Sequence, residues 1–274
     1  MLSTPQNPLK RKLSRILAVF IILYVMLGTT LYVLQEKLMF FPTTLTRDFT
    51  YNFQYPFEEL FLEPENDVLI NAVHFKNENP KGVILYFHGN AGDLSRWGTI
   101  TEYFVEKNYD VLVMDYRTYG KSKGKLSEQG FYDDAQFCYN YLKSRYDESD
   151  IILYGRSLGT GVANYLASKN QPKQLILETP YYSITDIAKH RFPFFPVKSL
   201  IKYEFNSFEY IQNVKCPITI IHGTHDQVVP YSSGNKLFDI APKSITKMKT
   251  IDGGRHNDLV NFDAYHEVIA SILN

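Results

Sequence analysis

Short apolar runs alternate with longer amphipathic stretches along most of the chain. The runs have the length of buried strands, about four to eight residues, and the stretches have the spacing of helices. Strands that alternate with helices form a mostly parallel sheet covered on both faces. The pattern predicts an α/β fold with an eight-stranded sheet, whose first two strands pair as an antiparallel hairpin at one edge. The predicted strands are FEELFLE, DVLINAVHF, GVILYFHG, DVLVMDY, IILYG, QLILE, PITIIHG and TKMKTID.

A separate apolar run near the N-terminus, residues 16–34, contains no charged residue. At about 1.5 Å per residue, a helix of this length spans the hydrocarbon core of a bilayer. Basic residues precede it, which predicts a cytoplasmic segment at 1–15 and places the rest of the chain on the extracytoplasmic side, periplasmic, extracellular or lumenal. A cleaved signal peptide is the alternative, but its apolar core is usually shorter and ends in a small-x-small site. The basic residues are Lys10, Arg11, Lys12 and Arg15.

The rest of the chain divides into a connector and one domain. Residues 35–56 are rich in aromatic residues and threonine and lack helical periodicity, so we expect a connector lying along the domain or the lipid interface. Residues 57–274 have a length common for a single α/β domain. Within it, residues 181–213 include HRFPFFPVKSL, which fits either a short helical cap over a site or an ordinary surface crossover.

Charge and cysteine content exclude several classes of protein. Basic and acidic residues number 29 each, so the overall charge gives no indication of a nucleic-acid partner. Two cysteines do not form a disulfide framework. Cys138 lies in a helical pattern and Cys216 precedes an apolar run, which favours buried free thiols, although a single bridge between them stays open. The sequence HGTHD is only a weak metal signal, because no histidine and cysteine cluster has zinc-ligand spacing.

The stretch LYGRSLGTG places Ser157 between a predicted strand and a predicted helix. A serine on such a sharp turn projects its hydroxyl clear of the sheet, and the turn requires small residues two positions away on each side. Gly155 and Gly159 meet that requirement. The start of the helix directs free N–H groups and its positive dipole end toward the hydroxyl, which favours any oxyanion formed there. The alternative is a helix-capping serine in a glycine-rich turn.

A nucleophilic serine needs a histidine base, oriented in turn by a carboxylate. Asp226 follows the strand PITIIHG, and His256 follows the last strand, so both are expected at the same edge of the sheet as Ser157, in the chain order Ser, Asp, His. Asp252 and Asp258 are competing acids, but they lie too close to His256 along the chain to approach it from the far side. The remaining histidines are expected to be structural or in the cap: His74, His88, His190, His222, His225 and His266.

Hydrolysis of an acyl group also needs donors for the oxyanion. The backbone N–H of Leu158 follows the nucleophile, and a second donor should come from the loop after an earlier strand, here YFHGNAGD. Asn90 is the candidate for that second donor. His88 is expected to brace the loop by hydrogen bonding rather than to act as a base.

Taken in order, HGNAGD, DYRTYGKSKG, GRSLGTG, LETPYYS, HGTHDQVVP and GGRHND resemble the membrane-anchored α/β-hydrolase-domain serine hydrolases. These are grouped with serine aminopeptidases and dienelactone-hydrolase-like proteins. The resemblance covers residues 57–272 and implies the triad Ser157, Asp226 and His256. It also implies hydrolysis of esters, thioesters or amides without a metal or organic cofactor. Thr118 departs from the family, which usually has glycine in DYRGYG, and this puts the shape of the neighbouring loop in doubt.

An anchor that holds the site near lipid favours acyl esters or thioesters of lipid-like molecules as substrates. Tyr119, Tyr181 and Phe192 are candidates for the pocket wall, with core packing as the alternative for each. A peptidase acting on exported peptides is the second enzymatic hypothesis, although nothing in the sequence resembles a pocket for a free α-amino group. A catalytically silent, membrane-tethered binding module is the third, and the complete set of triad residues argues against it.

Overall fold

The structure, a computed structural model, describes residues 8–273. Within this range ten strands alternate with helices, and eight of them follow the order that the pattern predicts. The strands are β1 (Phe41–Pro42), β2 (Phe57–Leu62), β3 (Ile70–Phe75), β4 (Val83–Phe87), β5 (Ala91–Gly92), β6 (Asp110–Met114), β7 (Ile151–Arg156), β8 (Gln174–Glu178), β9 (Ile218–Gly223) and β10 (Thr246–Ile251). The helices are α1 (Pro8–Met39), α2 (Leu94–Val105), α3 (Glu128–Lys143), α4 (Leu158–Lys169), α5 (Ile184–Arg191), α6 (Val197–Leu200), α7 (Ser207–Tyr210), α8 (Tyr231–Ile240) and α9 (Asp263–Ile272).

Eight of the strands form one sheet in the order β10-β9-β8-β7-β4-β6-β3-β2. The six strands from β10 to β6 are parallel, whereas β3 runs antiparallel to both β6 and β2. The predicted α/β fold, with an eight-stranded sheet and an antiparallel hairpin at one edge, is therefore confirmed. Strands β1 and β5 pair separately as a two-stranded parallel sheet, which the apolar pattern does not predict.

The central strands are buried on both faces. Along β4, alternate side chains point into two hydrophobic layers, because successive residues of a strand face opposite sides. Val83, Leu85 and Phe87 belong to the layer covered by α3 and α4. Ile84 and Tyr86 belong to the layer covered by α2 and α9. This burial explains why the strands read as short continuous apolar runs.

Helix α1 is longer than the charge-free run at 16–34, because it begins at Pro8 and ends at Met39. The first residues of the predicted connector are therefore helical, which the expectation of a non-helical segment at 35–56 missed. Gln35, Glu36 and Lys37 are good helix formers, so nothing local ends the helix at Leu34. Among the described residues, α1 is the one helix long and apolar enough to cross a membrane, and its apolar side chains are mostly exposed.

Both cysteines are buried free thiols, Cys138 on α3 and Cys216 just before β9. Burial raises the pKa of both, that of Cys216 to about 12. Neither thiol is therefore a reactive thiolate at neutral pH.

Candidate active site

Ser157 lies on the turn that joins β7 to α4, at the carboxyl edge of the parallel strands. Its φ of 52° and ψ of −118° are an unusual conformation for a residue with a side chain. A Cβ atom on Gly155 would lie 2.5 Å from the Gly159 carbonyl oxygen, and one on Gly159 would lie 2.0 Å from the Phe87 carbonyl oxygen. The turn therefore excludes side chains at both positions, as the G-x-S-x-G spacing predicts.

The structure brings together the three residues predicted as a triad. His256 Nε2 is 2.9 Å from Ser157 Oγ, and His256 Nδ1 is 2.7 Å from Asp226 Oδ2. Because a carboxylate can only accept, Nδ1 carries the proton and Nε2 is free to accept the serine O–H. This tautomer is the one required of a general base, although the catalytic roles stay a prediction.

Asp226 is held by four donors at the end of β9. Its Oδ1 accepts the backbone N–H groups of Val228 and Val229 at 2.8 and 2.9 Å. Its Oδ2 accepts from His256 and lies 3.3 Å from His222 Nε2. Burial by itself raises the pKa of Asp226, but the hydrogen bonds from His222 and His256 outweigh it and hold the pKa well below its ordinary value. Asp226 is therefore ionised whenever the protein is folded at neutral pH.

The competing residues make other contacts. Asp252 accepts a hydrogen bond from Thr224 Oγ1 at 3.0 Å, and Asp258 accepts the Arg255 N–H at 2.6 Å. His222, expected to be structural, is fully buried, with its Nε2 3.3 Å from Asp226 Oδ2. The sequence carried a signal for this contact, because His222 lies near the end of β9, four residues before Asp226.

The loop predicted to carry the second oxyanion donor lies beside the serine. A Cβ atom on Gly89 would be 3.7 Å from Ser157 Cβ, and Asn90 and Leu158 both border the cavity in front of Ser157. His88 braces this loop as expected, since its Nδ1 is 2.6 Å from the Gly89 carbonyl oxygen and its Nε2 is 3.2 Å from Asp115 Oδ1. This arrangement fits the prediction that the backbone N–H groups of Asn90 and Leu158 donate to the oxyanion.

The same loop is tied to the end of α1. Asn90 Nδ2 donates to the Met39 carbonyl at 2.8 Å, and the Phe41 N–H donates to the Asn90 carbonyl at 2.9 Å. The pairing of β1 with β5 extends this contact by two residues on each side. The connector after α1 thus lies along the domain and holds the oxyanion loop from behind.

A cavity of about 560 Å³ opens in front of Ser157. Two of the three candidate wall residues line it, Tyr181 and Phe192. Tyr119 is outside the lining, because it is fully buried and donates its hydroxyl to the Asn90 carbonyl at 2.9 Å. Residues from the segment 181–213, called the cap because it borders this cavity, supply most of the apolar wall together with residues of α1. The α1 contribution was missed from the sequence. These α1 residues are Leu31, Tyr32, Gln35, Leu38 and Met39.

Three arginines also border the cavity, and no Asp or Glu does so among the described residues. Arg156 is paired with Glu178, with Nε 3.1 Å from Oε1. Arg96 and Arg191 are exposed at the cavity rim. The opening therefore carries positive charge above an apolar interior, which suits a molecule with an anionic group and an apolar chain.

Comparison with known proteins assigns the family. The family model described as serine aminopeptidase, S33, matches residues 78–202 and 206–261. The chain belongs to this family of α/β-hydrolases. The resemblance read from the motifs is confirmed, since this match covers both the turn at Ser157 and the loops that carry Asp226 and His256.

Three relatives of this α/β-hydrolase are at least 30% identical to it over most of this chain. An uncharacterized protein of Acanthamoeba polyphaga mimivirus, R595, is 32% identical over 78% of this chain and 80% of its own. The membrane protein YNL320W of Saccharomyces cerevisiae is 30% identical over 80% of each. The lysophosphatidylserine lipase ABHD12 of Danio rerio is 36% identical over 62% of this chain and 49% of its own. The α/β-hydrolase described here thus spans about half the length of that lipase.

Solved structures confirm the fold. The esterase Pf2001 of Pyrococcus furiosus has a TM-score of 0.68, with 19% identity over 86% of this chain and 96% of that one. An α/β-hydrolase of Vibrio vulnificus has a TM-score of 0.65, with 22% identity over 78% of this chain and 80% of that one. The family match and the lipase relatives agree with the enzyme class predicted from the sequence, a serine hydrolase acting on carboxylic esters.

Proposed function

We propose that this α/β-hydrolase is a membrane-anchored enzyme that cleaves esters or thioesters of lipid-like acyl groups. One observation carries the proposal. A continuous set of short hydrogen bonds links Ser157, His256 and Asp226 at the mouth of an apolar cavity. A binding protein has no need for a nucleophile, base and acid in this geometry.

In the proposed reaction, Ser157 Oγ attacks the acyl carbonyl while His256 Nε2 accepts the hydroxyl proton. The backbone N–H groups of Leu158 and Asn90 stabilise the oxyanion, each by about 3 to 4 kcal/mol. His256 returns the proton to the leaving group, which departs and leaves the acyl group on Ser157. Water, deprotonated by His256, then releases the acid and restores the serine. Asp226 holds the imidazole in its tautomer throughout.

The cavity supports lipid-like substrates. Its walls are apolar and its rim carries Arg96 and Arg191, so a single acyl chain with an anionic headgroup matches its surfaces. The ABHD12 relatives are lysophosphatidylserine lipases, which agrees with this class of substrate. An aminopeptidase would need a carboxylate for the free α-amino group, and the described cavity lining contains none. Faster cleavage of aminoacyl amides than of acyl esters would favour the peptidase instead.

The proposed location follows from α1 and from the basic residues before residue 16. Helix α1 anchors the enzyme as a single pass, with a cytoplasmic N-terminus and the hydrolase domain on the other side. A cysteine introduced at exposed Lys169 should react with a membrane-impermeant maleimide added to the extracytoplasmic side of sealed membrane vesicles. Reaction only with maleimide added to the cytoplasmic side would refute this orientation.

Covalent labelling tests the nucleophile. The full chain in detergent should take up one fluorophosphonate, detected by intact mass, and Ser157→Ala should abolish the reaction. Ser199→Ala, an exposed serine of the cap, is the matched control and should label like the wild type. If the folded wild-type chain does not label, the triad is not active, and the tethered binding module becomes the better hypothesis.

A further inference from the structure

The cap packs against α1 deep within its apolar run. Tyr24 Oη donates to the Phe194 carbonyl at 2.7 Å, and the rings of Tyr24 and Phe195 stack with centroids 4.9 Å apart. Gly28 faces the same ring, since a Cβ atom there would lie 3.6 Å from the Phe195 ring, in ordinary van der Waals contact. The cap therefore contacts α1 directly at the centre of the residues expected to cross the membrane.

After this contact the cap segment runs along α1 toward the hydrolase domain. Gln35 Nε2 donates to the Leu200 carbonyl at 3.0 Å, and its Oε1 accepts the Lys202 N–H at 2.8 Å. Tyr203 donates to Glu36 Oε1 at 2.9 Å. Residues 194–203 thus follow the same direction as residues 24–36 of α1. The cap is fixed to the helix along this length.

The position of Tyr24 gives the depth of the cap in a bilayer. Tyr24 precedes the end of the charge-free run, Leu34, by ten residues, which corresponds to roughly 15 Å along a helix. Because Phe194 and Phe195 contact Tyr24, they lie at nearly the same depth as that residue. If α1 crosses a membrane at 16–34, these cap residues are inside the hydrocarbon region.

The chemistry of the cap tip, defined as Phe192–Phe195, suits that environment. Phe194 is 86% exposed and Phe192 is 37% exposed, and exposed apolar side chains that lie close together mark protein or membrane contact sites. No acidic residue occurs from residue 187 to residue 203. The basic residues of the same segment can reach lipid phosphates on their long side chains. They are Lys189, His190, Arg191, Lys198 and Lys202.

We propose that the cap tip inserts into the bilayer leaflet nearest the hydrolase domain, beside α1, and that lipid is its partner. Leu31 and Leu38 of α1 line one side of the cavity, and Phe192 and Phe195 of the cap line another. The cavity therefore lies between two elements that both contact the acyl chains of the membrane. An acyl chain enters it laterally from the leaflet, without crossing water. This entry route rests on the proposed hydrolysis of acyl esters, whereas insertion of the tip rests only on the proposed membrane anchor.

A depth measurement tests the insertion independently of activity. The full chain carrying Phe194→Cys is labelled with a nitroxide and placed in nanodiscs of phosphatidylcholine and phosphatidylglycerol. The native thiols are buried, so the label goes to the introduced cysteine. We expect strong relaxation by oxygen and weak relaxation by an aqueous nickel chelate. Lys169→Cys, at the far end of α4, should show the reverse. Equal nickel access at both positions would overturn the proposal.

Presentation of the substrate tests the entry route. Phe194 lies outside the cavity lining, so Phe194→Asp should leave kcat/KM for p-nitrophenyl acetate within about twofold of wild type. It should lower kcat/KM for monooleoylglycerol in phosphatidylglycerol vesicles by roughly tenfold or more, because the charge is expelled from hydrocarbon. Val260→Asp, another exposed apolar position, should change neither. Equal losses on both substrates, or none on vesicles, would refute lateral entry.

The two proposals fail in different ways. A wild-type chain that hydrolyses neither ester, and does not react with a fluorophosphonate, would refute the proposed function. The nitroxide depth at Phe194 would still show whether the cap tip lies in the bilayer.

Discussion

His222 illustrates how one buried side chain can govern a site that it does not line. Its Nε2 lies 3.3 Å from Asp226 Oδ2 and 3.0 Å from the Val229 carbonyl oxygen. A Cβ atom on Gly234 would lie 2.3 Å from its Nδ1, so the ring is closely confined. His222 therefore fixes the carboxylate that in turn fixes His256.

We expect His222→Leu to lower kcat by about tenfold or more with little change in KM, since the acid loses a donor but the cavity keeps its walls. Ester hydrolysis by the full chain in detergent measures both constants. The exposed neighbour His225 offers the control, and His225→Leu should stay within about twofold of wild type. A rise in KM with kcat unchanged would contradict a positioning role.

Thr118 has a strained backbone conformation that destabilises the fold. Its φ is 75°, in the left-handed region, and its Oγ1 is buried without a hydrogen-bond partner. Thr118→Gly should stabilise the fold by about 1 kcal/mol, because glycine has no Cβ to strain and no hydroxyl to bury. Thermal melting in detergent measures the change. Asn108→Gly, at a φ of 66°, is the comparison, and it should gain less because asparagine tolerates this region better than threonine. A gain at Thr118 no larger than that at Asn108 would contradict the cost assigned to the threonine side chain.

Elements that the chain pattern predicts well are those defined by local spacing. The eight strands of the main sheet follow from the short apolar runs. The turn at Ser157 follows from Gly155 and Gly159, because the turn leaves no room for side chains at these positions. The end of α1 and the pairing of β1 with β5 depend on contacts between distant parts of the chain. Gln35 is an example, because a polar residue directly after an apolar run indicates the end of a helix. Its hydrogen bonds to Leu200 and Lys202 of the cap are visible only in the structure.

Gln35 is therefore the residue through which the link between α1 and the cap can be weakened. Gln35→Ala leaves the Leu200 carbonyl and the Lys202 N–H without their partner, and an unmade buried hydrogen bond costs about 1 to 3 kcal/mol. Hydrogen exchange of the peptide containing residues 200–203 should accelerate. Lys37→Ala, an exposed change on the same helix, should leave that exchange rate unaltered. Equal protection in both variants would mean that other contacts hold the cap.

The whole molecule is expected to lose stability in mild acid. His74 is fully buried on β3, and burial, assisted by the charges of Lys76 and Arg145, lowers its pKa to about 3. In the unfolded chain the pKa is about 6.5. Between these values the unfolded chain binds a proton that the folded chain does not, so stability is full above about pH 6.5 and falls as the pH drops toward 3.

His74→Phe should flatten this dependence, because the group that binds the extra proton on unfolding is gone. Melting temperatures measured at pH 7 and pH 5 should differ less for this variant than for wild type. His225→Phe, an exposed change, should keep the wild-type difference. A wild-type difference that persists in His74→Phe would assign the acid sensitivity to other groups.

The bond between Asn90 and Met39 has a mechanical consequence. The last turn of α1 is attached to the loop beside the nucleophile, so a tilt or a vertical displacement of the anchor is passed to that loop within a single residue. If α1 crosses a membrane as proposed, bilayer thickness and tension therefore act on the loop beside Ser157. Cutting the chain after Met39 would remove both this attachment and the wall of the cavity that α1 supplies. The truncated protein would therefore differ from the full chain in the shape of its active-site cavity, and not only in its length.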